Sequence, residues 1–221
     1  MQPATTTEER RAFVKKCPAS DTPATMTNFM PSPARPAPVI MAVILLILGT
    51  FFRVFRVDFA PEILPNFSPL MASALCGALF LPGWIGLSVP LVALLLSDVV
   101  LNAHYGEPIL STQFLWTLPG YLVAVAIGWS LRGRSGLLPV LGGTLAASVF
   151  FYVVTNTGSW FGLAAYPQTF AGWLQAMTVG LPGYPPTWTF FRNSLAGDLL
   201  FAALFVVVER SLQQRRVSAL A

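Results

Sequence analysis

The sequence predicts an all-α fold, a polytopic membrane bundle of six transmembrane helices, on three observations. Of 221 residues, 55% are apolar and only 10% charged, with a mean hydropathy of +0.66, outside the range of ordinary soluble domains. The apolar residues come in blocks close to the ~20 residues that a helix needs to cross ~30 Å of hydrocarbon. Between the blocks lie stretches rich in Pro, Gly and polar residues, which read as turns.

Residues 1–37 are rich in Thr, Pro, Ala and Ser, carry a basic patch at Arg10, Arg11, Lys15 and Lys16, and show no apolar period. They read as a disordered cytoplasmic tail. A cleaved signal peptide fits less well, because the apolar run starts as late as Val39 and arginines follow it. Residues 38–211 form the six-helix domain and 212–221 a short basic cytoplasmic tail.

The first span covers 38–57, and its Arg53 and Arg56, three apart, share a face. Both can snorkel to lipid phosphates, or one can turn inward towards an acid or a ligand. The second span, 66–81, has small residues four apart at Ser73 and Gly77 and at Ala74 and Ala78, which favour close helix approach. After a Leu81-Pro82-Gly83-Trp84 turn, the third span covers 84–101, with Asp98 and Asn102 four apart. A polar connection, 102–112, then carries the single histidine, His104, as a solvated side chain.

The fourth span, 113–131, is kinked or started late by Pro119-Gly120. The fifth, 137–155, offers a close-packing face at Gly142, Gly143, Ala146 and Ala147. The connection 156–191 is too long for a plain loop in a compact bundle. Its segment 168–179 predicts a short interfacial helix, with Phe170, Trp173, Leu174 and Met177 along one face and Trp160, Tyr166, Tyr184 and Trp188 around it, an external aromatic lid. The sixth span covers 193–210.

Six spans put both termini on one side, and the basic tails and the Arg132/Arg134 turn make that side cytoplasmic. The expected location is the inner (plasma) membrane, in contact with membrane lipid. The outer ends of the helices then collect Arg53, Asn66, Asp98, Asn156, Arg192, Asn193 and Asp198. Charged groups at membrane depth are costly and mark a pathway, a site or an ion pair. A bundle with convergent polar groups under an aromatic roof of Trp160 and Tyr166 is the usual form of a small-molecule site. The plainer reading is that Asp98 and Asp198 only neutralise the arginines and hold the bundle together.

Other chemistries find no support. HExxH, GxSxG and Walker patterns are lacking, and Leu195-Ala196-Gly197-Asp198 lacks the first glycine of the GxGD pattern of intramembrane aspartyl proteases. Cys17 and Cys76 have no metal-binding spacing. The expectation is therefore no enzyme, no cofactor and no metal. Basic residues confined to tails and loops argue against nucleic acid.

Asn66-Phe67-Ser68-Pro69, Leu96-Ser97-Asp98, Thr155-Asn156, Tyr166-Pro167-Gln168-Thr169 and Phe191-Arg192-Asn193-Ser194 with Gly197-Asp198 resemble a group of uncharacterised bacterial transport proteins. That group is similar to the S (substrate-binding) components of energy-coupling factor (ECF) transporters. The resemblance implies capture of a small polar solute, a vitamin or related micronutrient, at the extracytoplasmic face, with a transmembrane T subunit and cytoplasmic ATPases as partners. By analogy the substrate-binding residues are Arg53, Asn66, Asp98, Asn156, Trp160, Tyr166, Arg192, Asn193 and Asp198. Arg53 or Arg192 would hold an anionic group and Asp98 or Asp198 a cationic or hydroxyl group. Many S components carry AxxxA in the first helix, whereas here Ala74 and Ala78 lie in the second. The alternatives are a stand-alone ion-coupled secondary transporter and a membrane scaffold of cell-envelope assembly.

Overall fold

The computed structural model describes residues 40, 43–44, 47, 50–51, 54–55, 66–106, 108 and 112–220, without the side chains of 112, 215–217, 219 and 220. The tail 1–37, Arg53 and Arg56 lie outside the described residues. Every described position between 40 and 55 is helical. The elements that follow are α1 (Leu70–Phe80), α2 (Ile85–Tyr105), α3 (Thr112–Ser130), α4 (Leu137–Gly162), α5 (Phe170–Met177) and α6 (Thr187–Leu220). All elements among the described residues are helices, as the composition predicts.

The short α1 is the hub, packed against α2, α3, α4 and α6. Eight of its eleven residues are buried. It starts at Leu70 rather than 66, because Asn66 takes a left-handed backbone (φ 61°) and Pro69 forms the N-cap. Eleven residues rise only ~16 Å, so α1 is too short to span ~30 Å of hydrocarbon alone. Its small residues do admit close neighbours. A Cβ on Gly86 of α2 would sit 2.8 Å from Gly77 O and 3.0 Å from Leu81 O, and one on Gly128 of α3 would run into Leu75 O. Gly143 likewise faces Ile127, whereas Gly142 faces open space, so only half of the predicted glycine pair packs.

Pro69 offers α1 no side-chain cap, yet the first N–H groups of a helix need acceptors. They find one in Asp198 of α6. Its Oδ1 accepts from Ala72 N at 3.0 Å, and its Oδ2 accepts from Ser148 Oγ of α4 at 2.8 Å. At the other end Arg132 donates to Ala78 O through Nε and Nη2 (3.0 and 2.8 Å) and to Leu81 O at 3.1 Å. An acid at the N-terminus and a base at the C-terminus both complement the helix dipole.

Three other elements run past their predicted ends. α2 continues through Asn102 and His104 until Gly106, left-handed at φ 70°, stops it. His104 therefore occupies the last helical turn rather than a loop. α4 continues to Gly162, because its polar residues bond back onto the helix. Thr155 Oγ1 donates to Phe151 O (2.8 Å), Asn156 Nδ2 to Tyr152 O (2.8 Å) and Thr157 Oγ1 to Val153 O (2.7 Å). α6 starts at Thr187 and holds 34 residues, ~51 Å of helix. The predicted interfacial helix is α5, capped by Thr169 Oγ1, which accepts from Gly172 N at 3.2 Å.

The core mixes alanines with large side chains such as Tyr121, Met71, Leu75 and Leu94, and many large apolar side chains remain exposed. Ala72, Ala74, Ala78, Ala124, Ala147 and Ala202 are fully buried, while Leu138 is 82% exposed, Leu115 67% and Leu96 61%. Among the described residues two helices, α2 and α4, are long and apolar enough to cross a membrane.

Candidate functional site

The N-terminal ends of α1, α3 and α6 and the C-terminal half of α4 meet at one end of the bundle and enclose a polar cavity in two lobes. The first lobe, about 200 Å³, lies among Asn66, Gln113, Tyr152, Asn156, Ser159, Thr187, Phe190 and Phe191. The second, about 220 Å³, reaches Ser68, Thr117, Ser148 and Asp198. Both share a wall of Asn66, Gln113, Phe151, Thr155 and Ser194. Asp198 forms part of the second lobe's lining while it caps α1, so one buried carboxylate joins the cavity to the hub helix.

The local sequence explains why these groups face one space. Gln113 and Thr117 are four apart on α3, Thr155 and Ser159 four apart on α4, and Ser194 and Asp198 four apart on α6, so each pair stacks on one helix face. Gly197 brings α6 in: its Cβ would lie 3.1 Å from Ser68 O and 3.2 Å from Ser68 N, so any larger residue would push α6 off the strand of chain that enters α1.

Of the sequence-predicted site residues, Asn66, Asn156 and Asp198 line the cavity. Arg192 is exposed, donates through Nε to Asn193 Oδ1 at 3.2 Å and stands 5.4 Å over the Trp188 ring. Asn193 is buried beside it and lines neither lobe. Asp98 is half-buried on α2, which packs on α1, and also lines neither lobe. Arg53 lies outside the described residues.

Trp160, in the last turn of α4, and Tyr166, in the connection to α5, help to fasten α5. Trp160 Nε1 donates to Pro167 O at 2.8 Å, and Gln168 Nε2 donates to Trp160 O at 2.7 Å. Tyr166 is buried, which raises its phenol pKa, while a hydrogen bond with Thr187 acts in the opposite direction. Tyr152 OH donates to Met177 O, and Trp173 Nε1 to Thr157 Oγ1 at 3.1 Å. These bonds hold α5 against α4, beside the cavity rather than in its wall. The residues that sequence reasoning passed over are Ser148, Thr117, Ser159 and Ser194. Their four-residue spacing from other polar groups was the available signal.

Fold and site together define a helical bundle with an apolar exterior and an internal polar cavity at one end. Residues 33–220 match the family of unknown function DUF6580, and the chain belongs to that family. No curated protein and no solved structure matches it.

Proposed function

We propose that this chain is a multi-pass membrane protein that binds a small polar solute in the two-lobed cavity, as an S-component-like uptake protein of the inner membrane. The carrying observation is a polar cavity, with a buried carboxylate in its lining, inside a bundle whose exterior is apolar. Large exposed apolar side chains suit lipid surroundings, and close helix approach at Gly86 and Gly128 is the kind of packing through small residues that helices use there. Six spans are reached by the helical positions between 40 and 55, then α1 with its extended lead-in, α2, α3, α4 and the apolar part of α6. The half-length α1 is tolerable at membrane depth because both its ends are satisfied by protein groups.

In this topology both termini are cytoplasmic and the cavity opens outward, since Arg132, Arg134 and Arg210 belong to the opposite end and basic residues favour the cytoplasm. The site performs no chemistry: it binds, and energy for release and uptake comes from partner ATPases through a transmembrane subunit.

The test is native mass spectrometry of protein purified gently from its membrane. A stoichiometric small-molecule adduct is expected, and Ser194→Leu, which fills the shared wall, should abolish it. An adduct-free wild type, or an adduct that Ser194→Leu leaves in place, would sink the assignment.

A further inference from the structure

Six hydroxyl groups of the cavity lining have their protons committed. A hydroxyl has one proton to donate and lone pairs to accept with. Thr117 Oγ1 donates to Gln113 O (3.1 Å), Thr155 Oγ1 to Phe151 O (2.8 Å), Ser159 Oγ to Thr155 O (3.2 Å) and Ser194 Oγ to Phe191 O (3.1 Å). Ser148 Oγ donates to Asp198 Oδ2, and Tyr152 OH to Met177 O. What these groups turn towards a guest is an acceptor oxygen. Asn156 adds its carbonyl oxygen, one of its Nδ2 protons being held by Tyr152 O at 2.8 Å.

Charge points the same way. Among the described residues no Arg, Lys or His lines either lobe, and Asp198 is the one carboxylate in the lining. Four aromatic rings, those of Phe151, Tyr152, Phe190 and Phe191, border the first lobe and suit the apolar part of a guest. Gln113 Nε2 donates to Thr155 O at 3.5 Å, so the donors left in the described lining include the Asn66 amide, the second Nδ2 proton of Asn156 and the Ser68 hydroxyl, and the Asn66 amide can turn its carbonyl oxygen inward instead. An anion here would meet acceptor oxygens and a carboxylate, with no cation among the described lining residues to offset its desolvation.

Resting on the binding function proposed above, we infer that the solute is a small organic cation with N–H donors, a protonated amine. The two lobes have room for roughly a dozen water-sized groups at ~30 Å³ each, so the guest is of about that many heavy atoms. Its ammonium sits among the Thr155, Ser194 and Thr117 oxygens with Asp198 beneath, and its apolar part lies against the phenyl rings. This keeps the expected cationic group at Asp198 and leaves out the anionic group expected at Arg53 or Arg192, of which Arg192 lines neither lobe.

The experiment is equilibrium dialysis of the purified full chain in detergent, read by mass spectrometry, against three pools of matched size. One holds primary and secondary amines, one uncharged alcohols and amides, and one carboxylates and phosphates. Retention from the amine pool should exceed the other two by about tenfold, an energy of ~1.4 kcal/mol. The double variant Thr155→Val with Ser194→Ala should lose it, since it removes two acceptors without touching Asp198 or the cap of α1. Retention of carboxylates, phosphates or neutral compounds in place of amines overturns the cation while leaving the binding site standing. Amine retention that survives the double variant places the cation elsewhere and also overturns the inference. Retention from none of the pools removes the binding site and the proposed function with it.

Discussion

Replacing Asp198 should separate the two jobs of its side chain, and the outcome can be worked from the structure. In Asp198→Ala, Ala72 N–H loses its acceptor at 3.0 Å and Ser148 Oγ its acceptor at 2.8 Å, both in buried surroundings. Leaving a buried donor unpaired costs ~1–3 kcal/mol, so the two together, with the void left by the carboxylate, should destabilise the protein by about 3–5 kcal/mol. Asp198→Asn keeps an oxygen for Ala72 N–H and lets its amide donate to Ser148 Oγ. What it loses is the favourable charge at the α1 N-terminus, ~0.3–1 kcal/mol. The assay is reversible unfolding in mixed micelles, followed by tryptophan fluorescence, on wild type and both variants. If the two variants are equally unstable, charge rather than hydrogen bonding holds α1. If Asp198→Ala falls within ~0.5 kcal/mol of wild type, the capping argument is wrong.

Other outcomes follow from single contacts. Arg132→Ala should cost about 2–3 kcal/mol by removing three bonds to the α1 carbonyls, and Arg132→Lys should restore only part of it, because a point charge cannot reach both oxygens as a fork does. The same unfolding assay reads both. Gly86→Ala should destabilise by ~1–3 kcal/mol, since its Cβ would press on two backbone oxygens, while Gly142→Ala, with nothing within 4 Å, should stabilise by up to ~1 kcal/mol through helix propensity. Equal effects at the two sites would refute the packing. Burial raises the Tyr166 pKa in the fold, so its contribution holds below the unfolded phenol value near ~10 and fades as pH rises beyond it. Melting temperature above that pH should drop less in Tyr166→Phe than in wild type, and an identical drop would contradict the shift.

Much of the architecture is legible in the chain because membrane-type composition is a coarse, additive signal. The helical class, the short helix α5 within the long connection, and the polar character of the chain around Asn66, Asn156 and Asp198 all follow from local residue types and spacing. Helix ends were less readable. Residues such as Thr155, Asn156 and Thr157 look like a terminus in sequence, yet inside α4 they return their donors to carbonyls one turn back. Whether a polar residue ends a helix or bonds within it depends on whether the backbone continues, which composition does not state.

Which polar groups share a site was settled by tertiary structure alone. Periodicity places Ser194 and Asp198 on one face of α6 but cannot say that Ser148 of α4 and the amides of α1 meet that face, 50 and 126 residues away in sequence. Nor could it say that Arg192 would be turned outward onto Trp188. Local residue types suffice for a helical, apolar chain with a few costly polar groups near helix ends. Packing decided which of them converge, because convergence is set by how closely α1, α2, α3 and α6 approach at Gly77, Gly86, Gly128 and Gly197, a relation between distant segments that no local pattern carries.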